Sequence, residues 1–272
     1  LYPDELRGQN DGKAGIIAGL GLWLKLRPGG VFAEGVVSET VSLSIIVPVW
    51  QEAAGIVASL SALQPLREAG HEVIVVDAGS PDGTAGLARP LCDRVVTSGR
   101  GRAVQMNAGA GVARGDVLLF LHADTRLPAS APAWLARFVA SPRAWGRFDV
   151  RLSGRRPLFR VIAWFMNRRS RLTGICTGDQ ALFVRREVFQ AQGGFQPIPL
   201  MEDIELSRRL KRVSPPFCIA DPVVTDSRRW ETLGPWRTIV LMWRLRWRYW
   251  RGESPESLAQ IYRSDVRHAS KS

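Results

Sequence analysis

Three short stretches of this sequence pair residue types that could do chemistry together. The first is an apolar run, Val117-Leu118-Leu119-Phe120-Leu121, that stops at His122-Ala123-Asp124. A short apolar run closed by turn signals predicts a strand buried on both faces, as in a parallel sheet. Its carboxyl end would present His122 and Asp124 where open α/β sheets hold ligands. An imidazole and a carboxylate so placed can share one divalent cation. The competing reading makes Asp124 a turn opener and His122 a satisfied core histidine. The second stretch, Asp77-Ala78-Gly79-Ser80-Pro81-Asp82-Gly83-Thr84, follows the apolar run Val73–Val76. Its two carboxylates can accept hydrogen bonds from a ligand or close an Asx-rich turn. The third is the Glu202-Asp203 pair. Either carboxylate could act as a general base, and either could instead serve the first turn of a helix.

These residues need a scaffold, and the hydrophobic rhythm supplies one. Leu43–Val49 reads as a buried strand with Pro48 near its end. Glu52–Ala69 reads as a helix with Ile56, Leu60, Leu63 and Leu66 on one face, kinked or split at Pro65. Glu72–Val76 is the next strand, Gly83–Ala88 a helix, Arg94–Val96 a strand and Gly101–Ala113 a helix leading to the central run. That alternation predicts a doubly wound, mostly parallel sheet with helices on both faces. Further on, helices are expected at Trp134–Val139, Leu158–Leu172, Glu202–Arg212, Pro235–Arg251 and Pro255–Arg263. Strands are expected at Arg147–Leu152, Thr177–Val184 and Cys218–Ala220, and Gly193-Gly194-Phe195 reads as a turn.

The chain has 272 residues, of which 46% are hydrophobic and 23% charged, enough for a substantial core. Its formal net charge of +12 favours anionic partners. The arginines are spread along the chain and no nucleic-acid motif accompanies them, so nucleic acid is not an expected partner. Cys92, Cys176 and Cys218 are widely spaced, which argues against a disulfide framework and fits a reducing cytoplasm. No stretch reaches the roughly 20 apolar residues of a spanning helix. Ile16–Leu26, broken by Gly19, Gly21 and Lys25, does not read as a signal peptide. Three regions follow: a poorly structured extension over 1–40, a catalytic domain over 41–230, and C-terminal helices over 231–272.

Six motifs in order, IIVPVWQE (Ile45–Glu52), VVDAGSPDGT (Val75–Thr84), GRAVQMNAG (Gly101–Gly109), FLHADT (Phe120–Thr125), the stretch Gly178–Phe195 ending in GGF, and Glu202-Asp203 with Leu206 and Arg209, resemble family 2 glycosyltransferases. The likeness runs from about residue 43 to 230. The closing RRW, the Trp/Arg-rich helix and SPESLAQIYR are similar to a bacterial single-domain subgroup of that family. The resemblance implies the GT-A fold and an inverting transfer from a nucleotide-sugar, by default a UDP-sugar, to a hydroxyl acceptor.

It also implies roles for individual residues. Asp77 and Asp82 would hold the base and ribose, with Pro48, Glu52, Asn107 and Ala123 lining that pocket. Arg102 would bind diphosphate, its competing reading being a solvated helix face. His122-Ala123-Asp124 stands where the family carries Asp-x-Asp, so Asp124, with His122 in place of the first carboxylate, would hold Mn2+ or Mg2+. Asp203 would be the general base and Glu202 the less favoured one. Gly178, Asp179 and Gln180 would flank the donor sugar and acceptor, or simply form a turn. Ser227-Arg228-Arg229-Trp230 resembles the Q-x-x-R-W motif of processive members, with Asp226 where Gln is usual. Arg229 would then clamp diphosphate and Trp230 stack on the acceptor. The missing Gln argues against a processive synthase.

The helix over 235–251 interleaves Trp236, Trp243, Trp247, Tyr249 and Trp250 with arginines. It reads either as a peripheral membrane contact, suited to a lipid-linked acceptor, or, slightly favoured, as a helix packing its Trp face on the sheet. Other functional readings are a nucleotidyltransferase of the same fold, which would want a Gly-rich basic loop where Pro48–Glu52 stands, and a non-catalytic nucleotide-sugar binder.

Overall fold

The computed structural model describes residues 42–269; the extension expected over 1–40 lies outside them. The first half follows the predicted rhythm. β1 (Leu43–Val49) leads to α1 (Ile56–Ser61) and α2 (Gln64–Glu68), then β2 (Glu72–Asp77), α3 (Thr84–Ala88), β3 (Arg94–Thr97), α4 (Arg102–Val112) and β4 (Val117–Phe120). The single helix expected over Glu52–Ala69 is two short ones. Pro65 falls in the first turn of α2, where its missing N–H costs nothing, and Glu52–Gly55 is a turn closed on the Glu52 carbonyl.

The second half adds β5 (Thr125–Arg126), α5 (Ala131–Val139), β6 (Trp145–Leu152), α6 (Pro157–Thr173), β7 (Phe183–Arg185), α7 (Arg186–Ala191), α8 (Glu202–Val213), β8 (Phe217–Thr225), α9 (Arg228–Leu233), α10 (Pro235–Trp250) and α11 (Pro255–Ala269). The strand expected over Thr177–Val184 is mostly a 3-10 turn, Gly178–Gln180, because Thr177 and Gln180 form a reciprocal capping box. Only Phe183–Arg185 pairs as strand. β8 is longer than the expected Cys218–Ala220, and α7, α9 and β5 carry no signal strong enough to have been predicted.

The strands form one sheet in the order β3-β2-β1-β4-β7-β6-β8-β5. β1 pairs in parallel with β2 and β4, and β2 with β3; β6 and β8 are also parallel. β7 runs antiparallel between β4 and β6, and β5 antiparallel to β8. Alternate residues of β1 and β4 feed opposite layers. Ile45, Val47 and Leu119 join Ile56, Leu60, Leu135 and Phe138 on one face. Ile46, Leu118 and Phe120 join Met106, Ala110, Phe189, Leu206 and Leu210 on the other. Helices therefore cover both faces, and the strands are apolar throughout for that reason. On the second face Gly109 lets α4 sit close: a Cβ there would lie 2.5 Å from Ile46 Cγ2 and 2.9 Å from Val76 Cγ2.

Among the described residues no helix is long and apolar enough to cross a membrane. α10 turns Thr238, Leu241 and Leu245 inward and leaves Trp236, Val240, Trp243, Trp247 and Trp250 exposed. The favoured expectation, that its Trp face packs on the sheet, is overturned. The buried face is aliphatic, and the tryptophans fall on the opposite side of the helical period.

Candidate active site

At the carboxyl edge of β1 and β4 lies a cavity of about 580 Å³. Pro48 and Val49 from β1, and His122, Ala123 and Asp124 just past β4, form its sheet-side wall. Gln105 of α4 fixes that edge from below. Its buried amide donates to the carbonyls of Val49, at 2.8 Å, and Val76, at 3.0 Å, tying the ends of β1 and β2 together. α9 supplies Arg229 and Trp230, and α11 reaches over to add Tyr262. The Arg229 guanidinium lies 5.7 Å from the centre of the Tyr262 ring, close enough for a cation–π contact.

A turn and a helix start close the opposite wall. Asp179 lines the cavity, with its Oδ1 3.6 Å from Nδ1 of His122. Burial works against ionisation of Asp179. The His122 contact and the charges of His122, Arg229 and Arg102 outweigh it and hold the carboxyl far below the usual carboxylate range. Gly178 precedes it, and its N–H donates to Oδ2 of Asp203 at 2.8 Å. Only glycine fits there, since a Cβ would meet His122 Cε1 at 2.5 Å. Arg102, at the start of α4, lies 3.6 Å from Glu202. Burial, then the neighbouring charge of Asp203, push the Glu202 carboxyl above its ordinary range against the pull of Arg102.

Among the described residues, the non-glycine positions with left-handed backbone are Gln51, Ala181 and Met201, with φ of 55°, 45° and 71°. Each adjoins a segment just described: the tip of β1, the Gly178–Gln180 turn and the start of α8. Strain of this kind persists where surrounding structure over-determines it, and it concentrates at functional sites.

Several expected residues do something else. Asp77 is buried and accepts hydrogen bonds from the N–H of Gly79, at 3.0 Å, and of Ser80, at 2.9 Å. Asp82 accepts from the Thr84 hydroxyl at 2.6 Å and from Ala53 N–H at 3.1 Å. Neither lines the cavity; Asp77 closes the loop after β2 on itself, and Asp82 staples that loop to the segment after β1. Asn107 is turned away, donating to the Phe195 carbonyl at 2.7 Å and accepting from Phe195 N–H at 2.9 Å. It fixes the Gly193-Gly194-Phe195 turn. Gln180 is fully buried and serves its own capping box. Asp203 is half-buried behind Gly178, next to the cavity wall.

Other residues went unnoticed. Trp50 lines the cavity with the Arg100 guanidinium 3.4 Å from its ring centre, a stacked pair that spacing alone does not reveal. Tyr262 was visible only as part of the SPESLAQIYR stretch.

The donor set also bears on a metal. Among the described residues no three His, Cys, Asp or Glu side chains converge as a metal-binding group. His122 is turned to Asp179. Asp124 is exposed on the cavity wall, and Glu52 beside it has its carboxyl pushed up by burial and then by the charge of Asp124, with Asp82 and Asp226 adding to it against Arg228. Magnesium-type sites are often completed by one or two carboxylates and the substrate's phosphates. These residues fit a cation shared with a diphosphate, and do not fit one held by protein alone.

The comparisons with known proteins bear on the fold and the family. PcManGT, a mannosyltransferase from Pyrobaculum calidifontis in complex with GDP-Man and Mn2+, aligns with a TM-score of 0.53 at 23% identity over 68% of this chain and 56% of its own. S. aureus TarS 1-349 in complex with UDP-GlcNAc aligns with a TM-score of 0.55 at 18% identity, over 68% of this chain and 58% of its own. The chain thus spans less than two thirds of either structure, and at these identities the likeness is one of fold. No curated protein matches the chain in sequence. The model of glycosyl transferase family 2 matches residues 44–191, more than half of the sequence and every strand of the parallel half, and the chain therefore belongs to that family.

Proposed function

We propose that the protein transfers a sugar, with inversion, from a nucleoside-diphosphate sugar to a hydroxyl acceptor. The observation that carries this reading is the cavity itself, in which Asp124, Arg102 and Arg229 share one wall system while Gly178 holds Asp203 beside it. Arg102 and Arg229 bind the diphosphate as fixed cations. Asp203 takes the acceptor's hydroxyl proton as that oxygen attacks the anomeric carbon. The bond from that carbon to the diphosphate breaks on the opposite side, and the nucleoside diphosphate leaves with the electron pair. A bound Mn2+ or Mg2+, which Asp124 with His122 beside it would hold, supplies charge that stabilises the leaving diphosphate. Glu202, kept near Arg102, tunes that cation and is not the base. UDP is the default nucleoside diphosphate, on family resemblance, and the GDP-Man of one solved relative brings GDP into the same test.

The exposed stripe Trp236, Val240, Trp243, Trp247 and Trp250 recurs at spacings of three and four along α10. With a net charge of +12, it suits an anionic headgroup surface. Peripheral contact with the inner face of a membrane, and a lipid-linked acceptor, belong to this proposal. Co-sedimentation with anionic vesicles that is lost when these tryptophans are replaced tests it.

The enzymatic test measures nucleoside diphosphate release from UDP- and GDP-sugars with Mn2+, Mg2+ or chelator. One donor should be hydrolysed slowly and metal-dependently. Asp203→Asn should lose about 10²–10⁴-fold in acceptor-dependent turnover while still binding UDP. If no donor turns over and neither nucleotide shifts the melting temperature, the transferase reading fails and a non-catalytic member of the family is the better account.

A further inference from the structure

Arg169 and Arg246 end two helical stripes that meet. On α6, Phe159, Ile162 and Met166 lie on one side at spacings of three and four, and Arg169 is the next position on that side. On α10, Ile239 and Met242 are followed in the same way by Arg246. Ile239 packs with Phe159 and Ile162. Met242 packs with Met201 and Ile204, the residues that flank Glu202-Asp203. Both stripes therefore lead toward the start of α8, each carrying a guanidinium where an apolar residue would continue the pattern.

Both arginines are half-buried, and Arg169 is short of partners. Nη2 of Arg169 is shut off from solvent with no hydrogen-bond partner. Among the described residues neither Arg169 nor Arg246 is in an ion pair. Burial, and then the charge of Arg246, pull the Arg169 guanidinium down to about 10, and burial also lowers Arg246. Asp203 attracts both, but its oxygens already accept from the N–H groups of Gly178 and Ile204. A guanidinium with a sealed, unpartnered Nη2 beside a second, half-buried guanidinium is costly unless something anionic completes the pair.

We propose that Arg169 and Arg246 form an acceptor subsite for a phosphate ester carried near the hydroxyl that is glycosylated. Two guanidinium forks match the several oxygens and double charge of a phosphomonoester better than a single carboxylate. The subsite's role as an acceptor site rests on the transferase reading, and its anion binding does not. The phosphate belongs to a soluble ester or to a lipid headgroup. α10 serves either source, since it carries Arg246 inward and the tryptophan stripe outward.

The test is a melting-temperature titration of the full chain with glycerol 3-phosphate, and separately with vesicles of phosphatidic acid against phosphatidylcholine. Each is run in saturating UDP with Mn2+, to fill the donor cavity, and without it. A saturable rise with either phosphate source is expected, and the responding source identifies the acceptor class. Arg169→Gln and Arg246→Gln should each raise the half-saturating concentration at least about tenfold and leave the UDP response intact. Arg169→Gln removes a buried unpaired charge, so it should melt at or above the wild type, and Arg246→Gln, on a half-exposed position, gives an independent variant. A rise retained in both variants, or no rise from either source in the wild type, overturns the subsite. Failure of UDP and GDP to bind would sink the transferase reading instead, and the phosphate response would still be read without nucleotide.

Discussion

The sheet has two halves built by different rules. In β3-β2-β1-β4 each strand is parallel to its neighbour and helices carry the chain from each strand to the next, so nearby sequence makes nearby structure. In β7-β6-β8-β5 the directions mix, and partners come from far along the chain, as where Gly146 lies opposite Phe217. The first half delivers strand tips, Arg102, His122 and Asp124, and the loop that Asp82 staples in place. The second half delivers Asp179, Asp203 and Arg229 from a turn and two late helices. A regular platform presents the sheet edge, and the irregular half closes the cavity over it. That division fits a fold whose chemistry is varied by its loops and late helices rather than by its core.

If the parallel half is the platform, damage there should cost stability first. Leu118 of β4 is fully buried in the layer that α4 and α8 cover. Leu118→Ala should destabilise the protein by about 2–5 kcal/mol, read as a lower urea midpoint with an unchanged slope. A loss under about 0.5 kcal/mol, within the range of ordinary surface changes, would mean that the second half carries the stability.

Asn107 tests the boundary between the halves, because it joins α4 to the turn before α8. Asn107→Ala leaves both polar groups of the buried Phe195 backbone without their partners. The expected cost is about 1–3 kcal/mol, with UDP affinity unchanged in the folded protein. Weaker UDP binding at unaltered stability would return Asn107 to the nucleotide-contacting role its motif implied.

The same contrast explains what could be read from sequence. Strands β1, β2 and β4 are apolar on both faces, so their runs stand out against flanking turn residues, and His122-Ala123-Asp124 is placed by the end of its run. Asp77, Asp82, Asn107 and Gln180, expected from their motifs to touch the nucleotide-sugar, make hydrogen bonds that shape the protein, and sequence does not separate the two roles for one reason. Side chains that hold a loop in shape and side chains that touch a ligand are the same polar types at the same strand ends. The turn at Gly178-Asp179-Gln180 was one of the two readings the sequence offered, but not the reciprocal Thr177–Gln180 capping box that sets it, which is visible only in three dimensions. Arg169 and Arg246 sit far apart in sequence, and nothing local marks them as neighbours. The α10 tryptophans were legible as interleaved with arginines, but neither their alignment as a stripe nor the side it faces was, since that depends on what Leu241 and Leu245 find to pack against.

A smaller effect belongs to Asp179, and its sign follows from its partners. Its carboxyl is held well below the ordinary range in the folded protein. Below about pH 3.9, the usual aspartate value, the unfolded chain takes up a proton at this position while the folded one does not. The stabilisation is therefore complete above that value and is lost as pH falls toward the folded pKa. Asp179→Asn should flatten the acid limb of the stability profile and leave the region above pH 5 little changed in slope. The side chain is partly open to solvent, 39% exposed, so the effect should stay within the modest range of exposed ion pairs. An identical acid limb in the variant would show that His122 and Asp179 are not paired in solution, and with it the wall they form would lose its support.

The smallest expected change separates the two faces of α10. Trp243 is 70% exposed, so Trp243→Ala should shift stability by no more than about 0.5 kcal/mol. Leu245, fully buried two residues away, should cost about 2–5 kcal/mol on the same truncation. Folding alone then gives no reason for a large aromatic at position 243, and vesicle binding becomes the readout in which Trp243→Ala ought to matter. If Trp243→Ala instead destabilises the protein as much as Leu245→Ala does, the stripe is covered in solution by protein. The outer face of the late helices would then belong to the fold and not to a membrane surface.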